Sequence, residues 1–447
     1  MQLILISVPT LPTYPSASFG GCGGKTVRPA PRPPSPASVE PYVSEEIQEL
    51  RRRGVNVIAG SVRRPKTAQE PFSNGYWGSS ILYLQPIRLL VLLHALWLAV
   101  KYWERISSLV ARVLLKGKES PALRLKALLH TCLGACYAVL LRERGVTHIH
   151  VHHGYFGSWI AMVAARLLGI NFSLTLHGSD LLMHGVYLDT KLKNCQSCVT
   201  ISHYNRRYVL DHFPDIDPGK ILVSRLGVDV APAETGSPRI TRALHSNFNL
   251  LAVGRLHKVK DHAFLIHACA RLRDIGLDFE CAIAGEGPER QRLESLIQDN
   301  RLQDRFTLLG HVAQPEIDAL YRYADLVVLT SLSEGIPLVL MEAMVRGKIV
   351  LAPSITGIPE LVIPGKTGFL YHPGDLEDFV QRIRFLQSLM QVRKANRLNW
   401  IRHAARVQVL NNFSREENLS RFAGAFLKSI AHHNWSPCHE NPILQQI

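Results

Sequence analysis

Between residues 249 and 371, six short apolar runs alternate with segments of helical pattern. The runs cover residues 249–253, 279–284, 306–309, 326–329, 348–351 and 368–371, and helical patterns lie at 262–273, 288–298, 315–323 and 337–346. Strands that are joined through helices run parallel, and a parallel sheet is covered on both faces. We therefore predict a doubly wound α/β domain over residues 245–415, whose ligands bind beyond the carboxyl ends of the strands.

The first half of the chain repeats this alternation less regularly. A helix is predicted to end at Gly54. Strands are predicted at 55–58, 147–152, 172–176, 197–201 and 221–223, with a helix over 156–168. This pattern predicts a second Rossmann-like domain over residues 39–235. We expect residues 416–447 to form a C-terminal helix that crosses back to this first domain, followed by a tail.

The N-terminal segment interrupts the pattern. Residues 9–41 contain nine prolines and the run Gly20-Gly-Cys-Gly-Gly24. Such a composition cannot build a packed element. We predict that residues 1–38 are disordered, apart from a first strand at 2–8.

The charge of the 447-residue chain is concentrated in its first half. Residues 1–240 contain 27 Lys and Arg against 15 Asp and Glu, a net +12, whereas residues 241–447 contain 24 against 21, a net +3. Basic chains bind nucleic acids, membranes or phosphorylated substrates. The sequence has no aromatic and basic interleaving and no recognised nucleic-acid module, so we expect no nucleic-acid partner. Peripheral contact with an anionic membrane is the expectation that remains.

An apolar stretch over residues 81–103 allows three interpretations. Its uncharged run from Leu89 to Val100 has 12 residues, which is too short to span a bilayer readily. It could form a buried helix, a helix that lies in a membrane surface, or a span. Basic residues follow it: Arg105, Arg112, Lys116, Lys118, Arg124 and Lys126.

The eight cysteines indicate a reducing compartment. They are too few for a disulfide scaffold. Cys195 and Cys198 have the spacing of half a zinc site, but buried reduced thiols are the simpler interpretation. Because no basic residue precedes the short apolar N-terminus, we expect no signal peptide and a cytoplasmic protein, peripheral on the inner face of the plasma membrane.

The pattern around Glu334 and Glu342 carries the strongest chemical signal. Glu334 follows the run at 326–329, Gly335 permits close approach of a ligand, and Pro337 suits the first position of a helix. The amides at that helix start would bind an anion. The two carboxylates would then accept hydrogen bonds from sugar or ribose hydroxyls. The alternative is a solvated loop glutamate and an exposed helical one.

Arg255 and Lys260 follow the run at 249–253. An Arg and a Lys five residues apart at a strand end can hold a diphosphate, the Arg through its fork and the Lys as a point charge. The alternative is a basic surface turn.

Two weaker signals lie at other strand ends. Gly285 and Glu286 lie where the run at 279–284 meets a helical pattern, and they offer flexible backbone near a nucleotide. His177 follows the predicted strand at 172–176, where it could contact a leaving phosphate or a sugar hydroxyl. A lone histidine is more often structural.

Together these signals resemble family-4 retaining glycosyltransferases of the GT-B fold, over residues 40–430. The first half resembles bacterial enzymes of exopolysaccharide and colanic-acid-type assembly. The motifs that carry the resemblance are Gly254-Arg255 with Lys260, Gly285-Glu-Gly-Pro288, Glu334 with Glu342, Gly357-Ile-Pro-Glu360, Gly365-Lys-Thr-Gly368, Glu40-Pro-Tyr-Val-Ser-Glu45, His150-Val-His152 and His177-Gly-Ser-Asp180.

The resemblance implies two doubly wound domains that face a cleft, and it assigns roles to residues. Arg255 and Lys260 would hold the diphosphate of a nucleotide sugar. Glu342 would hold the ribose and Glu334 the donor sugar, and His177 would line the catalytic cleft. The further donor-binding residues would be Gly285, Glu286, Gly335 and Ile336.

The implied reaction moves a hexosyl group from a nucleoside diphosphate to a saccharide, expected to be lipid-linked, with retention of configuration. The family typically needs no metal or other cofactor, and we expect none.

Residues 9–38 stand where this family has a short loop at the acceptor site, so the resemblance leaves acceptor binding open. Two other functions also remain open: a nucleotide-sugar 2-epimerase of the same fold, and a catalytically impaired nucleotide-sugar-binding protein.

Overall fold

The computed structural model describes residues 2–7, 41–62, 81–116, 119–182, 185–229, 248–391 and 395–431. The segment predicted to be disordered, residues 9–38, lies outside these residues. The chain divides into two compact units. The first comprises Met1–Leu176, His184–Cys198 and Phe426–Ile447, and the second comprises His177–Met183 and Val199–Ala425.

The first half of the chain forms a seven-stranded sheet. Its strands are β1 (Gln2–Ser7), β2 (Asn56–Ser61), β3 (Leu82–Tyr83), β4 (His148–His152), β5 (Asn171–Leu176), β6 (Ser197–Thr200) and β7 (Ile221–Val223). They lie in the order β3-β2-β1-β4-β5-β6-β7. The pairs β1–β2, β1–β4, β2–β3 and β4–β5 are parallel. This is the open, crossover-connected sheet that the alternating pattern predicts.

Eight helices lie between these strands in the described residues. They are α1 (Pro41–Arg52), α2 (Leu89–Lys101), α3 (Trp103–Leu114), α4 (Pro121–Arg142), α5 (Phe156–Leu168), α6 (Ser179–Leu182), α7 (Leu188–Asn194) and α8 (His203–His212).

Helices α4 and α5 form the core of the first unit. Ten of the thirteen residues of α5 are buried. Helix α4 approaches it so closely that a Cβ on Gly134 would lie 2.7 Å from Cβ of Val163. Among the described helices, α4 alone is long and apolar enough to cross a membrane. One face of α4 packs against α5, and 39% of its apolar window is buried.

Helix α2 is mostly exposed, so the interpretation of residues 81–103 as a buried helix is wrong. Only Ala95 and Leu98 of α2 are buried. Its large apolar side chains at seven other positions are between 44% and 70% exposed. The run has no polar face from which the sequence could tell which side packs inward, because nearly every position is apolar.

The second half of the chain forms a six-stranded sheet with the order β10-β9-β8-β11-β12-β13. Its strands are β8 (Asn249–Val253), β9 (Glu280–Ala284), β10 (Phe306–Gly310), β11 (Leu326–Val328), β12 (Ile349–Pro353) and β13 (Phe369–Tyr371), and all pairs are parallel. Its helices are α9 (His262–Asp274), α10 (Arg290–Asp299), α11 (Gln314–Tyr323), α12 (Leu338–Val345), α13 (Ile358–Leu361), α14 (Leu376–Gln391), α15 (Ala395–Asn412) and α16 (Arg415–Ala431).

Both faces of this sheet are buried. Leu250 and Val328 belong to one apolar cluster, whereas their neighbours Leu251 and Val327 belong to another. Successive strand residues point to opposite faces, so uninterrupted apolar runs are what a doubly covered sheet requires. The prediction of a doubly wound α/β fold is confirmed.

Candidate functional site

The loop after β8 presents an exposed arginine on a fixed backbone. The carbonyl of Arg255 accepts hydrogen bonds from Nε2 of His262 at 3.2 Å and from the amide of His257 at 2.8 Å. The Arg255 side chain is exposed and forms no ion pair with any described residue. Its guanidinium is therefore available to an anionic ligand.

Lys260 lies against Glu334. Its Nζ is 2.5 Å from Oε1 of Glu334. The backbone beside this pair is tied as well, since the Thr330 hydroxyl donates to the carbonyl of Lys260 at 2.9 Å and the Leu332 amide donates to that of Val259 at 2.8 Å. The loops after β8 and β11 are thus joined at the predicted diphosphate and sugar residues.

Gly335 lies where no side chain fits. A Cβ there would lie 2.2 Å from Cδ1 of Ile201 and 2.6 Å from the carbonyl oxygen of His177. The amides of Gly335 and Ile336 have no hydrogen-bond partner in the part of the chain that the structure describes. They lie just before helix α12, which begins at Leu338 with Pro337 as its N-cap, one residue later than predicted. The site therefore has two free amides at the positive end of a helix.

His177 is brought to this loop by a constrained turn. Asp180 is fully buried, and its Oδ1 accepts from the amides of His177 at 3.0 Å and Gly178 at 2.8 Å. Gly178 has φ +144°, and a Cβ there would lie 3.2 Å from the amide nitrogen of Gly335. Asp180 ends the His177-Gly-Ser-Asp180 motif, but nothing in the motif indicated that its carboxylate holds the turn.

Glu342 is half-buried in α12, so the interpretation of Glu342 as an exposed helical glutamate is wrong. Its Oε2 accepts a hydrogen bond from the hydroxyl of Tyr321 at 2.9 Å. Burial raises the pKa of Glu342 above its ordinary value, although the Tyr321 hydrogen bond opposes this. No hydrogen bond or ion pair joins Glu342 to Lys260 or Glu334 among the described residues.

Gly285 permits a close backbone approach. It has φ +157°, and a Cβ there would lie 1.9 Å from the carbonyl oxygen of Gly254. The neighbouring Glu286 holds the same loop through its carbonyl, which accepts from the Leu256 amide at 2.9 Å. Its side chain pairs with Arg290 at 2.5 Å, and both side chains are more than a third exposed. Gly285 and Glu286 therefore shape the backbone beside Arg255.

Two buried hydroxyls in the loop after β11 were not predicted. Oγ of Ser331 and Oγ of Ser333 are shielded from solvent, and neither has a hydrogen-bond partner in the described chain. Buried hydroxyls without partners are costly, so a polar ligand at this loop would satisfy them. Serines next to a loop glutamate carry no distinctive sequence signal.

His257 and His262 add no charge at the end of β8 near neutral pH. Burial lowers the pKa of His262 to about 4, and burial also lowers the pKa of His257. The positive charge at the end of β8 therefore comes from Arg255, Lys258 and Lys260.

The side-chain groups that resemble metal sites lie elsewhere. Glu46, His150 and His152 in the first unit have potential ligand atoms within 4.8 Å of one another. However, Nδ1 of His150 lies 2.8 Å from the Ser173 hydroxyl and its Nε2 lies 2.9 Å from that of Thr175. This arrangement forms a hydrogen-bonded network within the sheet.

Two further residue pairs have the spacing of metal ligands, but one residue of each pair is hydrogen-bonded to the backbone. Cys195 and Cys198 are buried thiols, and the Cys195 thiol donates to the carbonyl of Leu192. Asp215 and Asp217 have Asp-x-Asp spacing, but the Asp217 carboxylate accepts from the Gly219 amide at 2.8 Å in a turn before β7.

Two family models match the chain. The model described as Glycosyltransferase Family 4 matches residues 39–232, and that described as Glycosyl transferases group 1 matches residues 238–404. The chain belongs to glycosyltransferase family 4. The two matches together run from helix α1 into helix α15 of this family-4 chain, and they leave out strand β1 and helix α16.

Curated relatives match part of the family-4 chain. The putative colanic acid biosynthesis glycosyltransferase WcaL of Escherichia coli is 36% identical over 38% of the chain and 43% of WcaL. The amylovoran biosynthesis glycosyltransferase AmsK of Erwinia amylovora is 36% identical over 35% of the chain and 40% of AmsK. The matches therefore span less than half the length of these relatives.

A solved structure matches almost the whole chain. The HepE protein of Anabaena in complex with UDP and glucose has a TM-score of 0.65 at 17% identity, covering 96% of this chain and all of HepE. This likeness bears out the GT-B fold of the family-4 chain.

Proposed function

We propose that this chain is a retaining glycosyltransferase that moves a hexosyl group from a nucleoside-diphosphate sugar to a hydroxyl of a saccharide. The observation that carries the proposal is the contact between Lys260 and Glu334, with the free amides of Gly335 and Ile336 next to it. A cation, a hydrogen-bond acceptor and two donors thus meet at the carboxyl ends of β8 and β11. A nucleotide sugar needs all three kinds of group.

The donor would occupy groups that are already positioned. Its diphosphate would pair with Arg255 and Lys260, while the Gly335 and Ile336 amides donate to its oxygens or to the sugar. Glu334 would accept from sugar hydroxyls once a more highly charged anion takes its place beside Lys260. Glu342, already hydrogen-bonded to Tyr321, would accept from the ribose.

Transfer would proceed on one face of the sugar. The bond between the anomeric carbon and the diphosphate oxygen breaks, and the acceptor oxygen bonds to that carbon from the same side. The acceptor proton passes to the departing diphosphate, so no protein nucleophile is needed. Arg255, Lys260 and the amides of Gly335 and Ile336 would stabilise the charge that develops on the diphosphate. We propose that these groups make a metal ion unnecessary.

We propose a saccharide acceptor, carried on a lipid. WcaL and AmsK are named for the biosynthesis of colanic acid and amylovoran, which are exopolysaccharides. We place the protein in the cytoplasm, at the inner face of the plasma membrane. Six free cysteines among the described residues suit a reducing compartment.

The proposal is tested with the full chain, a panel of nucleotide sugars and an extract of envelope lipids. We expect mass spectrometry to detect a glycosylated acceptor, and NMR to find the anomeric configuration of the donor in the product. Lys260→Ala should lower transfer by roughly a hundredfold or more, because it removes a charge that acts on the leaving group. Lys258→Ala is the matched control from the same turn and should retain nearly full transfer.

Other outcomes would reject the proposal. An epimerised nucleotide sugar without transfer would identify an epimerase, and tight donor binding without any product would identify a binding protein. Transfer in Lys260→Ala at the rate of Lys258→Ala would reject the assignment of the site.

A further inference from the structure

Helix α2 presents an apolar surface that the described chain does not cover. At 100° per residue, seven side chains fall within an arc of about 160°, opposite the stripe that contains Ala95 and Leu98. They are Leu89, Leu90, Leu92, Leu93, Leu96, Trp97 and Val100, which we call the α2 patch, and each is at least 44% exposed. A contiguous apolar surface of this kind marks an interaction site in a soluble protein.

Unpaired cations border the α2 patch. Arg88 precedes the helix, Lys101 ends it and Arg142 lies near it, and none of the three forms an ion pair with a described residue. The Lys101 ammonium lies 4.8 Å and the Arg142 guanidinium 5.5 Å from the ring centre of Trp97. Residues 81–146 contain ten Lys and Arg against three Glu, a net charge of +7.

From the apolar arc and its basic border, we propose that the α2 patch docks on the surface of an anionic lipid bilayer. The leucines and Trp97 would enter the headgroup and acyl boundary, and Arg88, Lys101 and Arg142 would contact lipid phosphates. With 13 residues the helix is about 20 Å long, shorter than the hydrocarbon core, so it lies along the surface. A tryptophan between two cations suits this boundary region.

A second copy of the chain fits the α2 patch less well. In a symmetric dimer the same surface would face itself, which brings the cations of one copy towards those of the other. On an anionic surface there is no such repulsion, because the lipid phosphates attract the same cations. The charge pattern therefore favours lipid as the occupant.

This inference rests on the first unit and does not require the proposed transfer. It would bring the enzyme to the surface where a lipid-linked acceptor resides. Vesicle binding and nucleotide binding can be measured separately, so failure of one leaves the other intact.

The test is sedimentation of the full chain with vesicles of phosphatidylcholine, with and without phosphatidylglycerol. We expect binding that requires phosphatidylglycerol and weakens with salt. Trp97→Glu should weaken binding by roughly tenfold or more. Trp400→Glu is the matched control, since Trp400 is a comparably exposed tryptophan on α15, at 54% against 48%. Lys101→Glu combined with Arg142→Glu should remove the preference for anionic lipid.

The milder variant Leu93→Gln covers the case in which Trp97→Glu fails to fold, as judged by circular dichroism and cooperative melting. Nucleotide binding should be unchanged in every folded patch variant. Absence of wild-type binding at low salt would overturn the proposal, as would equal loss in Trp400→Glu. Conversion of a wild-type oligomer to monomer by the patch variants, without vesicle binding, would identify a second copy as the occupant instead.

Discussion

The contact between Glu342 and Tyr321 joins two residues 21 positions apart, on helices α12 and α11. The tyrosine hydroxyl holds one carboxylate oxygen, and in the proposed function the other would accept from the ribose. Because Tyr321 is fully buried, its position is set by the core and not by the ligand. The Glu342 carboxylate is therefore oriented without a nucleotide.

The raised pKa of Glu342 predicts a pH dependence of nucleotide binding. Ribose hydroxyls need the ionised carboxylate, and burial makes Glu342 take up its proton at a higher pH than an exposed glutamate. We expect calorimetry to show UDP binding that weakens as the pH falls towards this pKa. Glu342→Gln should bind about tenfold to a hundredfold more weakly at neutral pH and lack this part of the pH dependence.

Titration of the diphosphate itself is common to wild type and variant, so the difference between their pH profiles isolates Glu342. Glu377→Gln, at an exposed position on α14, is the control and should follow the wild type. Parallel profiles for wild type and Glu342→Gln would contradict the ribose assignment.

The site residues that could be predicted from the sequence are those that directly follow a predicted strand. Arg255, Gly285 and Glu334 each follow an apolar run, and the carboxyl end of a parallel strand is where a ligand site forms. The partners that complete the site could not be placed in this way. Tyr321 and Asp180 act through contacts that depend on the folded chain, and a single sequence carries no signal for such contacts.

At the scale of elements, Glu360 anchors the start of helix α8. Its carboxylate accepts from the amides of His203 at 3.2 Å and Tyr204 at 2.7 Å, and it pairs with Arg225 at 3.2 Å. The first amides of a helix have no partner within the helix, so a carboxylate there satisfies them and complements the helix dipole. The Gly357-Ile-Pro-Glu360 motif thus has a structural role that its sequence did not disclose.

We predict that Glu360→Ala lowers the free energy of unfolding by about 1–2 kcal/mol, because it leaves two amides and an arginine without their acceptor. Glu360→Gln should fall between wild type and alanine, since its amide oxygen still accepts one hydrogen bond. Urea unfolding followed by circular dichroism measures both. The control is Glu377→Ala, whose exposed contact with Arg271 is 3.7 Å long and should contribute less than about 0.5 kcal/mol. Equal losses in Glu360→Ala and Glu377→Ala would disprove the anchoring role.

Helix α2 shows where element prediction stops. Its helical state follows from its composition, but the side that packs inward is Ala95 and Leu98, which no polar contrast marks. Only the structure shows which side chains of α2 are buried. It rules out the buried helix, one of the three interpretations that the sequence left open.

For the whole molecule, the uneven charge and the doubly wound fold could both be read from the sequence. The near-neutral half contains the site of Arg255 and Lys260, where few charges are needed. The basic half contains the α2 patch. The alternation of strands and helices was sufficient to predict the doubly wound domains, and the GT-B fold was implied by the family resemblance that the motifs carry.

The proposed chemistry predicts activity without a metal. In the proposed mechanism, Arg255, Lys260 and the amides of Gly335 and Ile336 would supply the positive potential that a divalent cation would otherwise provide at a leaving diphosphate. We expect the transfer rate after extensive chelation to equal the untreated rate within about twofold. Loss of transfer that is restored by magnesium or manganese would refute this prediction.

The last described helix, α16, returns to the first sheet. Phe426 lies 4.8 Å from the ring centre of His150, and the Ser429 hydroxyl lies 3.2 Å from that of Ser197. The first unit is therefore discontinuous in sequence, although proteins are synthesised from the N-terminus and usually fold in that order. His148 and His150 gain Phe426 as an aromatic neighbour only when residue 426 has left the ribosome. Until then the unit that is made first remains incomplete, and a nascent chain stalled before residue 426 would hold a second unit closer to its final state than the first.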